Sequence, residues 1–221
     1  MNPTLNNIRY LLIKDLKIEW HYKFAIGSAL LYIISTVFIT YLVFLNYMAP
    51  NVWAALFWII IIFVSINTVA RSFVMESKNR YYYYYTLASP EAVIMGKILY
   101  NNLIMLVFTL VTYFVFSVFF ENYIQNSLLF YPTLLLGSCG MATMLTLTTA
   151  IAWKANDSFA LVSVLSFPLA LPLIILSLKL TRMALGAFFW SEAIKLLFVL
   201  LLLDIIIIAL AYILFPFIWK D

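Results

Sequence analysis

RSFVMESKNRYYYYYTLASPEAVIMGK, residues 71–97, lies between two apolar runs that are each long enough to cross a bilayer. The segment is basic and packed with tyrosine, too long for a turn and too polar to span. Outward from it, runs of the roughly 20 apolar residues needed to cross about 30 Å of hydrocarbon at about 1.5 Å per residue fall at 24–45, 52–70, 98–119, 128–153, 159–178 and 194–217. None alternates as a barrel strand does, and several exceed twice a barrel strand's length, so they read as helices. Composition points the same way: 66 % of the residues are hydrophobic and 10 % charged, with a mean hydropathy of +1.06, whereas a soluble domain is about half apolar. The chain reads as an all-α polytopic membrane protein, a single transmembrane domain over 1–221 with six spanning helices.

Connectors and charges predict how the spans are threaded. ENYIQNS (121–127) separates the third span from the fourth and KANDS (154–158) the fourth from the fifth, so these spans are antiparallel neighbours with no soluble domain between them. Lys and Arg are counted on alternate sides. One side carries Arg9, Lys14, Lys17, Lys23, Arg71, Lys78, Arg80, Lys97, Lys154 and Lys220; the other carries only Lys179, Arg182 and Lys195. This asymmetry places both termini in the cytoplasm, N-in and C-in, and makes 71–97 the one sizeable cytoplasmic segment. It also accounts for most of the net charge of +4, leaving nucleic-acid binding without a role. The first apolar run follows a long charged leader and lacks a small-residue cleavage pattern, so it is expected to stay as an anchor rather than be removed.

The leader, 1–23, is itself patterned. Leu5, Ile8, Leu12, Leu16 and Trp20 share one face of a helical wheel while Asn7, Lys14, Lys17 and His21 share the other, as in a helix lying in the headgroup plane. It is expected to form an interfacial elbow leading into the first span. Within 71–97, Tyr81 to Tyr85 form an aromatic run just outside the bilayer, longer than belt anchoring requires. After it, a new helix is predicted to begin at Ser89, with Pro90 at the first helical position and Glu91 in the first turn. That helix is expected to be short, to lie across the cytoplasmic surface and to lead into the third span.

Few residues carry chemistry. A phosphate-cradling loop needs a glycine five residues before Gly96-Lys97 and Ser or Thr after it, but those positions are Glu91 and Ile98, so no nucleotide site is expected and the chain is not read as an enzyme. A single histidine, His21, builds neither a bis-histidine haem site nor a His-based zinc site from one copy, and no metal site or firmly bound cofactor is expected. Cys139, the single cysteine, lies in the fourth span and reads as a small packing residue that can form no internal disulfide. Asp204, in LLLDIIII near the middle of the sixth span, is the one intramembrane carboxylate. An ionised group there is disfavoured by roughly 2.5–3.5 kcal/mol, so it should be protonated, paired, or facing a polar cavity or a second subunit. It is either a substrate-path or proton-handling residue or a hydrogen-bonded tie between helices, with Asn67 of the second span as candidate partner.

Three further patterns concern packing. Ser138, Ala142, Thr146 and Ala150 put a ribbon of small side chains along the fourth span, permitting close helix approach. Pro168 and Pro172 each delete a backbone donor in the fifth span and are expected to bend it, as a moving part or as a static kink. Asn156, Asp157 and Ser158 can cap its start. KLTRMALGAFFWSEAIK (179–195), semi-apolar and aromatic, suits a short helix or re-entrant dip over 179–193 at the outer face, or an aromatic belt. No repeat relates the first three spans to the last three, which argues against an inverted-repeat carrier.

Six spans with both ends inside, the basic leader, LASPEAVIxGK after the second span, and FPLALPLII in the fifth resemble the haem exporter protein B family of cytochrome c maturation, within the type-2 ABC exporter superfamily of permeases. The resemblance covers nearly the whole chain. It implies a multi-pass permease subunit in the bacterial cytoplasmic (inner) membrane. That subunit would deliver haem, its transported substrate, with ATP bound in a separate cytoplasmic ABC ATPase; haem-handling membrane subunits and a second copy of the chain are further partners. By the same resemblance, 76–97 is the element that couples to the ATPase, with Glu76, Arg80, Tyr83, Tyr85, Pro90, Glu91, Gly96 and Lys97 as its residues, and the outer loop matches the superfamily's external helices. The tyrosine run departs from the more charged segment expected there. The alternatives are a proton-coupled secondary transporter or channel using Asp204, and a non-transporting structural subunit.

Overall fold

A computed structural model describes residues 3–21, 23–44, 48–74, 89–154, 158–186 and 189–220. These residues form seven helices and no strand: α1 (Pro3–His21), α2 (Lys23–Val43), α3 (Pro50–Val74), α4 (Pro90–Phe119), α5 (Ser127–Lys154), α6 (Ser158–Ala184) and α7 (Trp190–Lys220). Six of them, α2 to α7, are long and apolar enough to cross a membrane. The chain is an all-α, multi-pass membrane protein, as the apolar runs predict.

The bundle is built around α5, which packs on α3, α4, α6 and α7. Of its apolar stretch 78 % is buried, against 17 % for α2 and 22 % for α7, which marks α5 as the axis and α2 and α7 as outer helices. Small side chains explain that position. Ser138, Ala142, Thr146 and Ala150 are all buried, and two glycines bring other helices still closer. A Cβ on Gly137 would meet the Trp58 ring of α3 and sit 2.6 Å from Ser177 Oγ of α6, and one on Gly140 would meet Asp204 Oδ1 of α7. Without a hydrophobic drive between helices inside lipid, such close approach supplies the van der Waals contact. At the end opposite α1, Trp53, Phe57, Phe116 and Phe130 form an aromatic cluster, with Trp53 stacked on Phe57 at 5.4 Å and Phe57 edge-on to Phe116 at 5.6 Å.

Helix ends are tied by polar groups. Asn126 caps α5, its Oδ1 accepting from the Leu129 N–H at 3.1 Å. The N–H groups of Gln125 and Asn126 donate to the Ala184 carbonyl at 3.1 and 3.0 Å, satisfying an orphan acceptor at the end of α6. Inside the bundle, Asn101 Nδ2 donates to Thr146 Oγ1 at 2.8 Å, Thr143 Oγ1 to Asn102 Oδ1 at 3.2 Å, and Trp58 Nε1 to Thr181 Oγ1 at 2.9 Å. Thr148 and Ser166 share a hydrogen bond of 2.9 Å between α5 and α6.

Two expectations are revised. No separate surface helix precedes the third span: α4 is continuous over 30 residues, about 45 Å at the ordinary rise, because the apolar pattern continues backwards through Ile98, Ile94 and Val93. At the opposite end the described residues show no re-entrant dip. Residues up to Ala184 complete α6, α7 starts at Trp190, and Lys179 Nζ bridges to Glu192 Oε1 at 2.9 Å across the corner. Helix α6 runs on through Pro168 and Pro172, both of which are exposed, so they face away from α5. Asn156 and Asp157 lie outside the described residues.

Candidate functional site

The start of α4 is set by its own sequence. Ser89 is extended and its side-chain oxygen accepts from the Ala92 N–H at 3.3 Å, with Pro90 at the first helical position and Glu91 in the first turn. This is the predicted cap, and Pro90 and Glu91 are half-buried beside it. Glu76, Arg80, Tyr83 and Tyr85, with the whole run Tyr81 to Tyr85, lie outside the described residues.

Gly96 and Lys97 are buried beneath α1. A Cβ on Gly96 would stand 3.2 Å from Leu11 Cβ and 3.8 Å from the Ile8 carbonyl oxygen, so glycine marks the crossing of α1 over α4. One residue on, Lys97 Nζ lies 3.2 Å from Asp15 Oδ2, with side chains only 6 % and 7 % exposed. Asp15 Oδ1 is 2.9 Å from Lys14 Nζ. Sequence reasoning missed Asp15. The signal was present, because Asp15 follows Leu11 by four residues and Ile8 by seven and therefore shares their face. A carboxylate on a packed face calls for a buried cation, and Lys97 is the lysine of α4.

Below this crossing Val93, Ile94 and Ile98 of α4 pack with Leu147 and Ala150 of α5 and with Ala211, Phe215 and Trp219 of α7, and Leu11 of α1 packs against the same cluster. Displacement of the first turns of α4 therefore bears on α1, α5 and α7 together. From α5 it passes to α6, which packs along it.

Asp204 and Asn67 are not brought together. Asn67 is exposed on α3 and its Nδ2 donates to the Phe63 carbonyl of its own helix at 2.9 Å. Asp204 is 7 % exposed, points at Gly140 of α5, and neither carboxyl oxygen has a hydrogen-bond partner. A separate groove of about 300 Å³ opens between α4 and α7, lined by Met95, Ile205, Ile208, Ala209, Tyr212 and Ile213. It stands at the floor of the small-molecule pocket range, about 300–1,000 Å³, and no cation lines it. Among the described residues no three His, Cys, Asp or Glu side chains gather as a metal site would require.

A family model described as CcmB protein matches residues 6–217, from the first turn of α1 to the last turns of α7. The chain belongs to the CcmB protein family. Comparison with curated proteins and with solved structures gives no match. Membership in the CcmB family identifies the chain as a haem exporter permease for cytochrome c maturation. The buried crossing of α1 over α4 is the feature this CcmB-family chain adds to what its hydropathy conveys.

Proposed function

We propose that the chain is the permease subunit of an ATP-driven complex that delivers haem across or at the bacterial cytoplasmic membrane, with both termini on the cytoplasmic side. A separate ABC ATPase binds and hydrolyses ATP. It seats on 76–97, where Glu76, Arg80, Tyr83, Tyr85, Pro90 and Glu91 make the contact and Gly96 and Lys97 pass the motion inward. Haem-handling membrane subunits and a second copy of the chain complete the assembly. The observation that carries this reading is the family match over 6–217. The continuous helix from Pro90 supports it physically, because a rigid rod transmits a push at its end along its length. Helix α4 enters a core shared with α5 and α7, so the push moves three helices rather than one.

Purification in mild detergent tests the reading. A nucleotide-binding subunit should copurify, deletion of the chain should abolish holo-cytochrome c, and replacement of Pro90 and Glu91 should uncouple ATP hydrolysis from haem delivery. A chain that purifies alone and still transports refutes it. The buried, unpartnered carboxyl of Asp204 favours one second reading, a proton-coupled carrier. Asp204→Asn separates the two, since it abolishes a proton-coupled carrier and leaves an ATP-driven permease turning over.

A further inference from the structure

We propose that Asp15 and Lys97 are positioning residues for energy coupling, and that their ion pair locks the N-terminal helix to the start of α4 so that the two move as one body. The proposal rests on the ATP-driven reading above. Three observations converge on it. The bridge is enclosed, at 3.2 Å between side chains 6 % and 7 % exposed. Gly96, adjacent to Lys97, lets the α1 backbone approach within 3.8 Å of where its Cβ would be. The pair also sits at the upper edge of the apolar cluster that joins Leu11 to Val93, Ile94, Phe215 and Trp219.

A surface ion pair in this place would be screened by water and would hold little. An enclosed pair differs, because little water reaches the contact to replace a partner that is removed. A force applied just before Pro90 therefore has two outlets. It can slide α4 beneath α1, which requires opening the bridge, or it can carry α1 with it. The second leaves the bridge intact and turns the elbow into part of the lever. The remaining carboxyl oxygen of Asp15, held by Lys14 at 2.9 Å, keeps the carboxylate aimed across the gap.

The decisive experiment uses the whole complex, with Cys139, the single native cysteine, replaced by serine. Leu11→Cys with Gly96→Cys places two thiols within reach of a disulfide once the crossing gives by a few tenths of an ångström, the Cβ positions being 3.2 Å apart against about 3.5–4.5 Å in disulfides; the reduced double variant, with the same bulk at the crossing, is therefore the reference. Oxidation should cross-link the chain readily, and the cross-linked complex should form holo-cytochrome c as well as the reduced one. In parallel, Asp15→Ala and Lys97→Ala should each lower holo-cytochrome c by about tenfold or more at equal amounts of inserted chain. The partner's basal ATP hydrolysis should persist, and the swapped pair Asp15→Lys with Lys97→Asp should recover most of the yield. A merely structural pair would move hydrolysis and yield together. Loss of function on cross-linking, failure to cross-link, or full yield from both alanine variants overturns the proposal. The cross-link leaves both charges in place, so it remains decisive where an alanine variant fails to fold. Absence of a copurifying ATPase would instead sink the ATP-driven reading, and the cross-link would still report whether α1 and α4 need to part.

Discussion

Gly140 is the residue on which side-chain size bears most directly. It forms the notch in α5 that receives the Asp204 carboxyl, and a methyl group there would overlap Asp204 Oδ1 and stand 3.0 Å from Leu173 Cδ2. Gly140→Ala should therefore destabilise the purified protein by about 1–3 kcal/mol, the usual effect of overpacking. Most of that loss should vanish in an Asp204→Ala background, a non-additivity that thermal unfolding of the four variants would reveal. If Gly140→Ala is equally harmful with and without the carboxyl, the notch is not what the glycine provides. Asp204 itself was legible in the sequence, because an acid among leucines and isoleucines stands out. Its surroundings were not. Which helix it faces depends on how far each helix is rotated about its axis, and an almost wholly apolar helix carries no polar face to report that rotation.

At the scale of the element, the start of α4 illustrates a local signal that reads correctly. Ser89, Pro90 and Glu91 act through bonds within one turn, so cap, first residue and first-turn acid follow from order alone. Ser89→Ala should weaken the turn by about 1 kcal/mol, seen as roughly fivefold faster hydrogen exchange of the first-turn amides, while Ser89→Asp should keep the native rate. Unchanged exchange in the alanine variant would show that packing under α1, rather than the cap, holds the turn. The far limit of that helix was misjudged for a matching reason. Lys97 looks like a boundary to a hydropathy window, yet its charge is matched from α1, so the helix crosses it without a break. Helix α1 was likewise half legible. Its aliphatic face was plain, but Asp15 belongs to that face only because Lys97 waits opposite, and pairing across 82 residues of sequence leaves no local trace. Over 179–193 the aromatic residues suggested a short helix, a re-entrant dip or an aromatic belt. Among the described residues α6 instead runs to Ala184 and α7 starts at Trp190, with Lys179 paired to Glu192 and the Ala184 carbonyl taken by Gln125 and Asn126.

For the whole molecule, spans and threading came from apolar length and connector length, which are sums over many residues and tolerate local error. Orientation rests on the distribution of Lys and Arg and is open to direct measurement. In a Cys139→Ser background, cysteine at Ser191, exposed beside the α6–α7 corner, should react with a membrane-impermeant maleimide on intact cells. Cysteine at Tyr10, 72 % exposed on α1, should react only after permeabilisation, and the reverse pattern would invert the assembly. The axial place of α5 has a consequence for how the protein is made. It is the least apolar of the six spans and also the most enclosed, rich in hydroxyls that find partners on its neighbours. Such a segment partitions into lipid less readily than the other five spans do. During synthesis it should linger at the translocon until α6 and α7 emerge, and a ribosome stalled just after Lys154 should leave it loosely held and open to proteases.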